Sequence, residues 1–297
     1  MKSTKLKKNM GQIILHGIFI IISLIYVVPL LLVISASFTD EKILLTEGFS
    51  LFPRGLTAEG YEIVFQNPAQ ILWSYATTIT YSVIGTFFSV LIMALMAYPL
   101  VRKNFRLRKP INFFVLFTML FSGGMVPGYI LNVRYLHLDD SIWIYILPGL
   151  ISAYNLFVIK AGYMSVPDEL IEAGKIDGAN EFYICFKIMI PLSKATLATV
   201  AFLILVGKWN NWNTSAMYIQ NPKLYSLQYL LQRILNEATY LQQLASDGTV
   251  VIDTNDMMPL ETLKYCMAMV AAGPMLAVFP FFQKYFVKGM TIGAVKG

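Results

Sequence analysis

LWSYATTITYSVIGTFFSVLIMALMAYPLV, residues 72–101, contains no charged side chain, and it stops against Arg102-Lys103-Asn104-Phe105-Arg106-Leu107-Arg108-Lys109, a link with five cations and no acid. As a helix rising 1.5 Å per residue, such a run reaches about 45 Å, more than a hydrocarbon core of about 30 Å. Lipid offers no water to an open backbone, so a lone spanning segment closes its hydrogen bonds internally, as a helix does. The run predicts a transmembrane helix whose cation-rich end is cytoplasmic.

Working outward, comparable runs lie at 13–36, 111–133, 141–162, 188–219 and 265–287. Six runs predict an all-α membrane protein with six transmembrane helices in one domain over 1–297. Composition agrees: 57% of the chain is hydrophobic and 13% is charged, where a soluble domain carries about 25% charged residues. The net charge of +6 would also suit a nucleic-acid binder. However, the cations cluster at the ends of apolar runs rather than on a solvated face with stacking aromatics, so no nucleic-acid partner is expected. The first run is too long for a signal peptide, and Ser35-Ala36-Ser37 is a poor cleavage site. Cys185 and Cys266 lie far apart in sequence with no ligand spacing around them, so no metal site is expected.

Loop charge sets the orientation. The N-terminal tail has Lys2, Lys5, Lys7 and Lys8, and the C-terminal end has Lys284, Lys288 and Lys296. Both termini and the 102–109 link are expected in the cytoplasm. The loop 39–69, with Asp40, Glu41, Glu47, Glu59 and Glu62, and the Asp139-Asp140 corner are expected outside. A second outer stretch, 221–264, contains an amphipathic helix near Tyr225–Tyr240, with Leu227, Leu230, Leu231, Ile234 and Leu235 on one side.

The inner segment 163–187 departs from the charge rule, because its acids outnumber its bases. Ser165 and Asp168 have capping-box spacing around Pro167. Gly174 and Gly178 permit a change of direction, and Asp177 is placed to cap a second short helix over 179–186. Two short helices at the inner membrane face are expected, either as an interfacial cap or with a further task.

Glu172-Ala173-Gly174, three residues, Gly178, nine residues, then Ile188-Met189-Ile190-Pro191 resembles the EAA signature of binding-protein-dependent ABC importer permeases. Gly174 and Ile190 depart from its third Ala and its Leu. Ser37-Phe38-Thr39, Phe121–Pro127 and the ending Gln283–Gly297 resemble the carbohydrate branch of that family, of the LplC type and related to the permeases of maltose importers. The resemblance implies a type I ABC importer permease fold with a cytoplasmic coupling helix in a bacterial cytoplasmic membrane. It implies that Glu172, Ala173, Gly174, Asp177, Gly178, Ala179 and Pro191 form the element that docks on a partner ATPase. The tail Val295, Lys296 and Gly297 would reach that ATPase too. Implied partners are a second homologous permease, an ATPase dimer that binds ATP and magnesium, an extracellular or periplasmic solute-binding protein, and an oligosaccharide. The chain itself would bind no cofactor. A permease for a non-sugar solute is the alternative.

No G-x-x-x-x-G-K-[ST] loop is present to cradle nucleotide phosphates. His16 and His137 have no nucleophile beside them, so the chain is expected to have no catalytic residues. Trp209-Asn210-Asn211-Trp212-Asn213 is the candidate substrate path: amides bond hydroxyls, and indoles stack on the C–H faces of sugar rings. As a continuation of a helix from Pro191 it would stand roughly 27–33 Å above that proline. An interfacial aromatic belt is the other reading. Lys160, Lys194 and Lys208, near span ends, are expected to snorkel.

Overall fold

The computed structural model describes residues 2–246 and 259–294. Among them all regular structure is helical, apart from one antiparallel bridge between Thr39 and Leu56. In chain order the helices are α1 (Lys2–Ser37), α2 (Glu41–Glu47), α3 (Glu59–Val64), α4 (Pro68–Val101), α5 (Arg108–Leu120), α6 (Met125–Tyr135), α7 (Trp143–Ile146) and α8 (Ala153–Met164). They continue as α9 (Asp168–Ile176), α10 (Glu181–Leu192), α11 (Lys194–Trp209), α12 (Asn213–Tyr218), α13 (Leu227–Ser246) and α14 (Leu260–Ala294).

Three helical stretches among the described residues are long and apolar enough to cross a membrane: Gln12–Ser37, Pro68–Val101 and Leu260–Tyr285. Two bent pairs raise the number to five if each is one span: α5 with α6, at 111°, and α10 with α11, at 78°. The first bend falls at Ser122-Gly123-Gly124, where Gly124 has φ +89°, a conformation costly for any residue with a Cβ. The expected span 141–162 is not one helix. Its backbone breaks at Pro148-Gly149, Ser152 accepts from Asn155 N at 3.4 Å to start α8, and α8 has 12 residues. That is about 18 Å of helix. Proline lacks the N–H that an uninterrupted helix requires there.

The chain packs as two units, 1–68 with 231–273 and 69–230 with 274–297. In the first, Asp40 caps α2 by accepting from Lys42 N at 2.9 Å, and Glu41 caps α14 by accepting from Glu261 N at 2.9 Å and Thr262 N at 2.8 Å. These acids satisfy N–H groups that no helix can satisfy for itself. The Cys266 thiol meets the Ser37 carbonyl at 3.1 Å, and Gly60 approaches the same sulfur so closely that a Cβ there would sit 2.6 Å from it.

In the second unit, Met93, Ala97 and Leu100 of α4 pack with Leu156 and Ile159 of α8, Ile184 and Met189 of α10 and Val200 of α11. A smaller core joins Tyr81 to Tyr145, with rings stacked 4.3 Å apart. Outside these cores large apolar side chains lie bare, among them Ile25, Tyr26, Phe87, Phe113 and Phe114. Such a surface suits lipid rather than water.

Candidate functional site

Helix α9 is nine residues long and follows Pro167, which stands at the N-cap with extended backbone and no side-chain cap bond. The expected capping box does not form. Ser165 instead donates to the Gly162 carbonyl at 2.7 Å, closing the last turn of α8. Asp168 is thereby free to take Lys103 Nζ at 3.0 Å, and that bond holds its carboxyl below the usual aspartate range. A carboxylate in the first turn also suits the positive end of the helix.

The end of α9 is a Schellman turn. Ala179 N donates to the Gly174 carbonyl at 2.9 Å, Gly178 N donates to the Lys175 carbonyl at 3.0 Å, and Gly178 has φ +80°. Glycine takes that conformation without a Cβ penalty, so Gly178 is the turning residue. Gly174 does not turn the chain. It is buried inside α9, where a Cβ would lie 3.0 Å from Ile188 Cδ1. The helix that follows is capped by Asn180, which accepts from Tyr183 N at 2.8 Å, and not by Asp177. Asn180 immediately precedes α10, whereas Asp177 is already the last residue of the preceding turn.

The outcome is a short helix with two faces. Ile171 and Gly174 point into the core formed with Ile184 and Met189. Leu170, Glu172, Ala173, Ile176 and Asp177 are exposed, as is Phe182 on α10. Ile171 therefore packs inward and offers no surface to a partner, and Ala179, one of the expected docking residues, is half-buried against the same core. Pro191 is exposed near the end of α10. A cluster at the base of the site fixes α9 against α4: Glu181 accepts from Lys175 Nζ at 2.7 Å and from the Tyr98 hydroxyl, with Arg102 Nε at 3.9 Å. Lys175 foremost, then Tyr98 and Arg102, hold the Glu181 carboxyl below its ordinary value.

The amide-and-indole run is not helical throughout. It spans the end of α11, a three-residue break and the start of α12. Because α11 begins at Lys194, Trp209 stands about 24 Å along it rather than at the height a helix from Pro191 would give. Trp209 is buried, with its ring 6.5 Å from that of Tyr75. Asn211 ties the corner through Thr214 at 2.8 and 3.1 Å, which leaves Asn210, Trp212 and Asn213 as the outward groups. The tail Val295-Lys296-Gly297 lies outside the described residues.

Lys208 does not snorkel. It is 9% exposed, donates to the Tyr145 carbonyl at 2.8 Å, and fills space left by Gly85, whose Cβ would fall 2.8 Å from Lys208 Cε. Its own carbonyl accepts from the Tyr81 hydroxyl at 3.1 Å. On the same helix as Gly85, α4 carries buried hydroxyls at Thr78, Ser82, Thr86 and Ser89. The sequence signal for this pocket is a lysine next to an indole together with glycine on another helix, which becomes meaningful only once the helices are paired.

A sequence profile described as "Binding-protein-dependent transport system inner membrane component" matches residues 6–292. The chain is 36% identical to the polygalacturonan/rhamnogalacturonan transport system permease protein YtcP of Bacillus subtilis (strain 168), over 98% of this chain and 100% of that one. It is 38% identical to protein LplC of the same organism, over 92% of this chain and 90% of that one. Among solved structures it is similar, at a TM-score of 0.75 and 26% identity over 94% of this chain and 97% of the other, to a chain of a bacterial ABC transporter involved in the import of the acidic polysaccharide alginate.

Proposed function

We propose, from the premise that this chain belongs to the family of binding-protein-dependent transport system inner membrane components, that α9 couples the chain to a cytoplasmic ATPase while the chain forms half of the path for an oligosaccharide. The chain is a multi-pass membrane permease subunit of an ABC importer and not an enzyme; hydrolysis belongs to a separate subunit. ATP and magnesium are bound by that partner. A second, homologous permease completes the pore, and a solute-binding protein delivers the cargo on the outer face. The whole chain, 1–297, serves as one permease domain with six crossings and both termini in the cytoplasm.

One observation carries the coupling role. Glu172 and Ala173, the first two signature positions, are exposed on a short helix whose third position, Gly174, is locked in the core and whose end is fixed by Gly178. A lever must be rigid toward its own body and bare toward its partner, and α9 meets both conditions. Leu170, Ile176 and Phe182 offer apolar contact, and Glu172 and Asp177 offer charge for a basic residue. Val295, Lys296 and Gly297 extend the same contact. For the cargo, the relatives' names support a glycan, and Trp209 to Asn213 supply amides and indoles suited to it.

The test is co-purification followed by uptake. The chain should bring down an ATPase from mild detergent. Vesicles holding the complex with its binding protein should take up an oligosaccharide, drawn from a neutral and uronic-acid panel, only with internal ATP. Uptake by this chain alone without ATP would defeat the reading.

A further inference from the structure

Among the described residues, three cavities bordering the basic link 102–109 differ in how their charge is balanced. In one of about 470 Å³, Arg102 and Lys175 face Glu181. In another of about 380 Å³, Lys103 faces Asp168, with Glu172 also on the wall. The third, of about 610 Å³, is lined by Lys103, Arg106, Arg108, Lys109 and Lys160 with Asn112, and no acid lines it. Lys103 already has Asp168; of the other four cations Arg108 and Lys160 are half-buried, Arg106 and Lys109 lie at the exposed rim, and no carboxylate lines the cavity. Like charges held together in a partly desolvated recess repel, and they call for an anion from elsewhere.

We propose that this third cavity binds the phosphate headgroup of an anionic phospholipid. A run of loop cations alone would be ordinary membrane orientation. Lys160 makes it more than that. It comes from a different helix, α8, and Asn112 Oδ1 accepts from its Nζ at 2.6 Å while Asn112 Nδ2 donates to the Arg108 carbonyl at 2.6 Å. The ammonium is thus held in the cavity rather than free to swing into water. The helix above it supplies the other half of a lipid. Residues four apart are neighbours on a helix, so Lys109, Phe113 and Phe117 form one line up α5, and Arg108, Asn112 and Leu116 form the next. Phe113 is 70% exposed and Phe117 is 45% exposed. Cations at the base and bare phenyl rings above match a charged headgroup with an acyl chain. A free phosphate would use the first and leave the second unexplained. Basic recesses between helix ends near the membrane surface are known to take such headgroups. The inference rests on the chain's membrane location and not on its cargo.

The membrane complex, extracted in mild detergent and supplied with phosphatidylglycerol or phosphatidylcholine, tests this by native mass spectrometry of retained lipid. Phosphatidylglycerol should be retained and phosphatidylcholine should not. Lys160→Gln should lower retention about fivefold, as expected for one cation at an anionic surface. Lys160→Arg should restore it. Lys109→Gln, on the exposed helix surface, should give a similar fall without touching the Lys160–Asn112 bond. Unchanged retention in both Gln variants would overturn the site. Displacement of the lipid by millimolar inorganic phosphate would also overturn it, since the ligand would then be a soluble anion. Transport is not part of the readout, so a wrong cargo assignment leaves these outcomes unaltered.

Discussion

Lys208 packs against Gly85 with no room for a Cβ, and the fit yields a double-mutant prediction. A methyl on Gly85 would stand 2.8 Å from Lys208 Cε and 2.9 Å from its Nζ. Gly85→Ala should cost about 1–3 kcal/mol by overpacking. In a Lys208→Ala background that cost should vanish, because the obstructing chain is gone. Thermal unfolding of the four proteins in one detergent reads the coupling, and additive shifts would exclude the contact. Gly174 makes a contrasting case. A Cβ there meets only the flexible tip of Ile188 at 3.0 Å, and Ala favours a helix over Gly by about 1 kcal/mol. Gly174→Ala should therefore stay within about 1 kcal/mol of the parent in the same unfolding assay, whereas Gly174→Leu should lose about 1–3 kcal/mol. At this scale the sequence was only partly legible. Gly178 could be read, because a glycine after a helix has one strong local use. Ser165 and Asp177 could not, because each had a competing backbone or side-chain neighbour within three residues. Lys208 could not either, because its burial depends on helices far apart in sequence.

Helix α9 and its base act as one element. Glu172 is exposed and makes no ion pair among the described residues, so Glu172→Lys should change stability by no more than about 0.5 kcal/mol. The same change should abolish ATP-driven uptake while the permease still assembles in the membrane; wild-type uptake would remove Glu172 from the coupling surface. The base responds to acid. Lys175 and Tyr98 hold the Glu181 carboxyl below its ordinary value. A depressed carboxylate stabilises the fold above the unfolded value, near 4.3, and that contribution fades as pH falls through the lower folded value. The melting temperature should drop on acidification below about pH 4.3, and Glu181→Gln should lack that part of the drop. Equal acid profiles for parent and variant would show that the cluster does not titrate with folding. The amphipathic helix near 225–240 was legible because its apolar spacing is periodic, and Leu227, Leu230 and Leu231 are indeed buried on α13. The splitting of α5 from α6 was not legible, since an apolar run scores alike whether straight or bent; a short helix ahead of the fifth run was expected over 179–186, but its extension to Leu192 was not.

For the whole molecule the open quantity is parity, the number of crossings between two points on the chain. Three continuous helices and two bent pairs are apolar and long enough, and the stretch 141–162 is neither. Hydrophobicity alone could not separate these cases, because Pro148-Gly149 interrupts the helix without interrupting the apolar composition. By loop charge the Asp139-Asp140 corner is expected outside; 163–187, whose own charge points the other way, is expected inside because the runs 188–219 and 265–287 separate it from the basic C-terminal end, and the two expectations together require the interrupted stretch to cross. A crossing with broken backbone is tolerable where protein rather than lipid surrounds it, and Ile144, Tyr145 and Ile146 are all buried. Asp139→Cys should accordingly react with a membrane-impermeant maleimide added outside intact cells, while Glu169→Cys and Lys103→Cys should react only after the membrane is opened. Background labelling should be low, since Cys185 and Cys266 are both buried. If the probes at 139 and 169 label from the same side, the stretch between them does not cross. The charge-based topology then fails, and the α9 surface loses its access to a cytoplasmic ATPase.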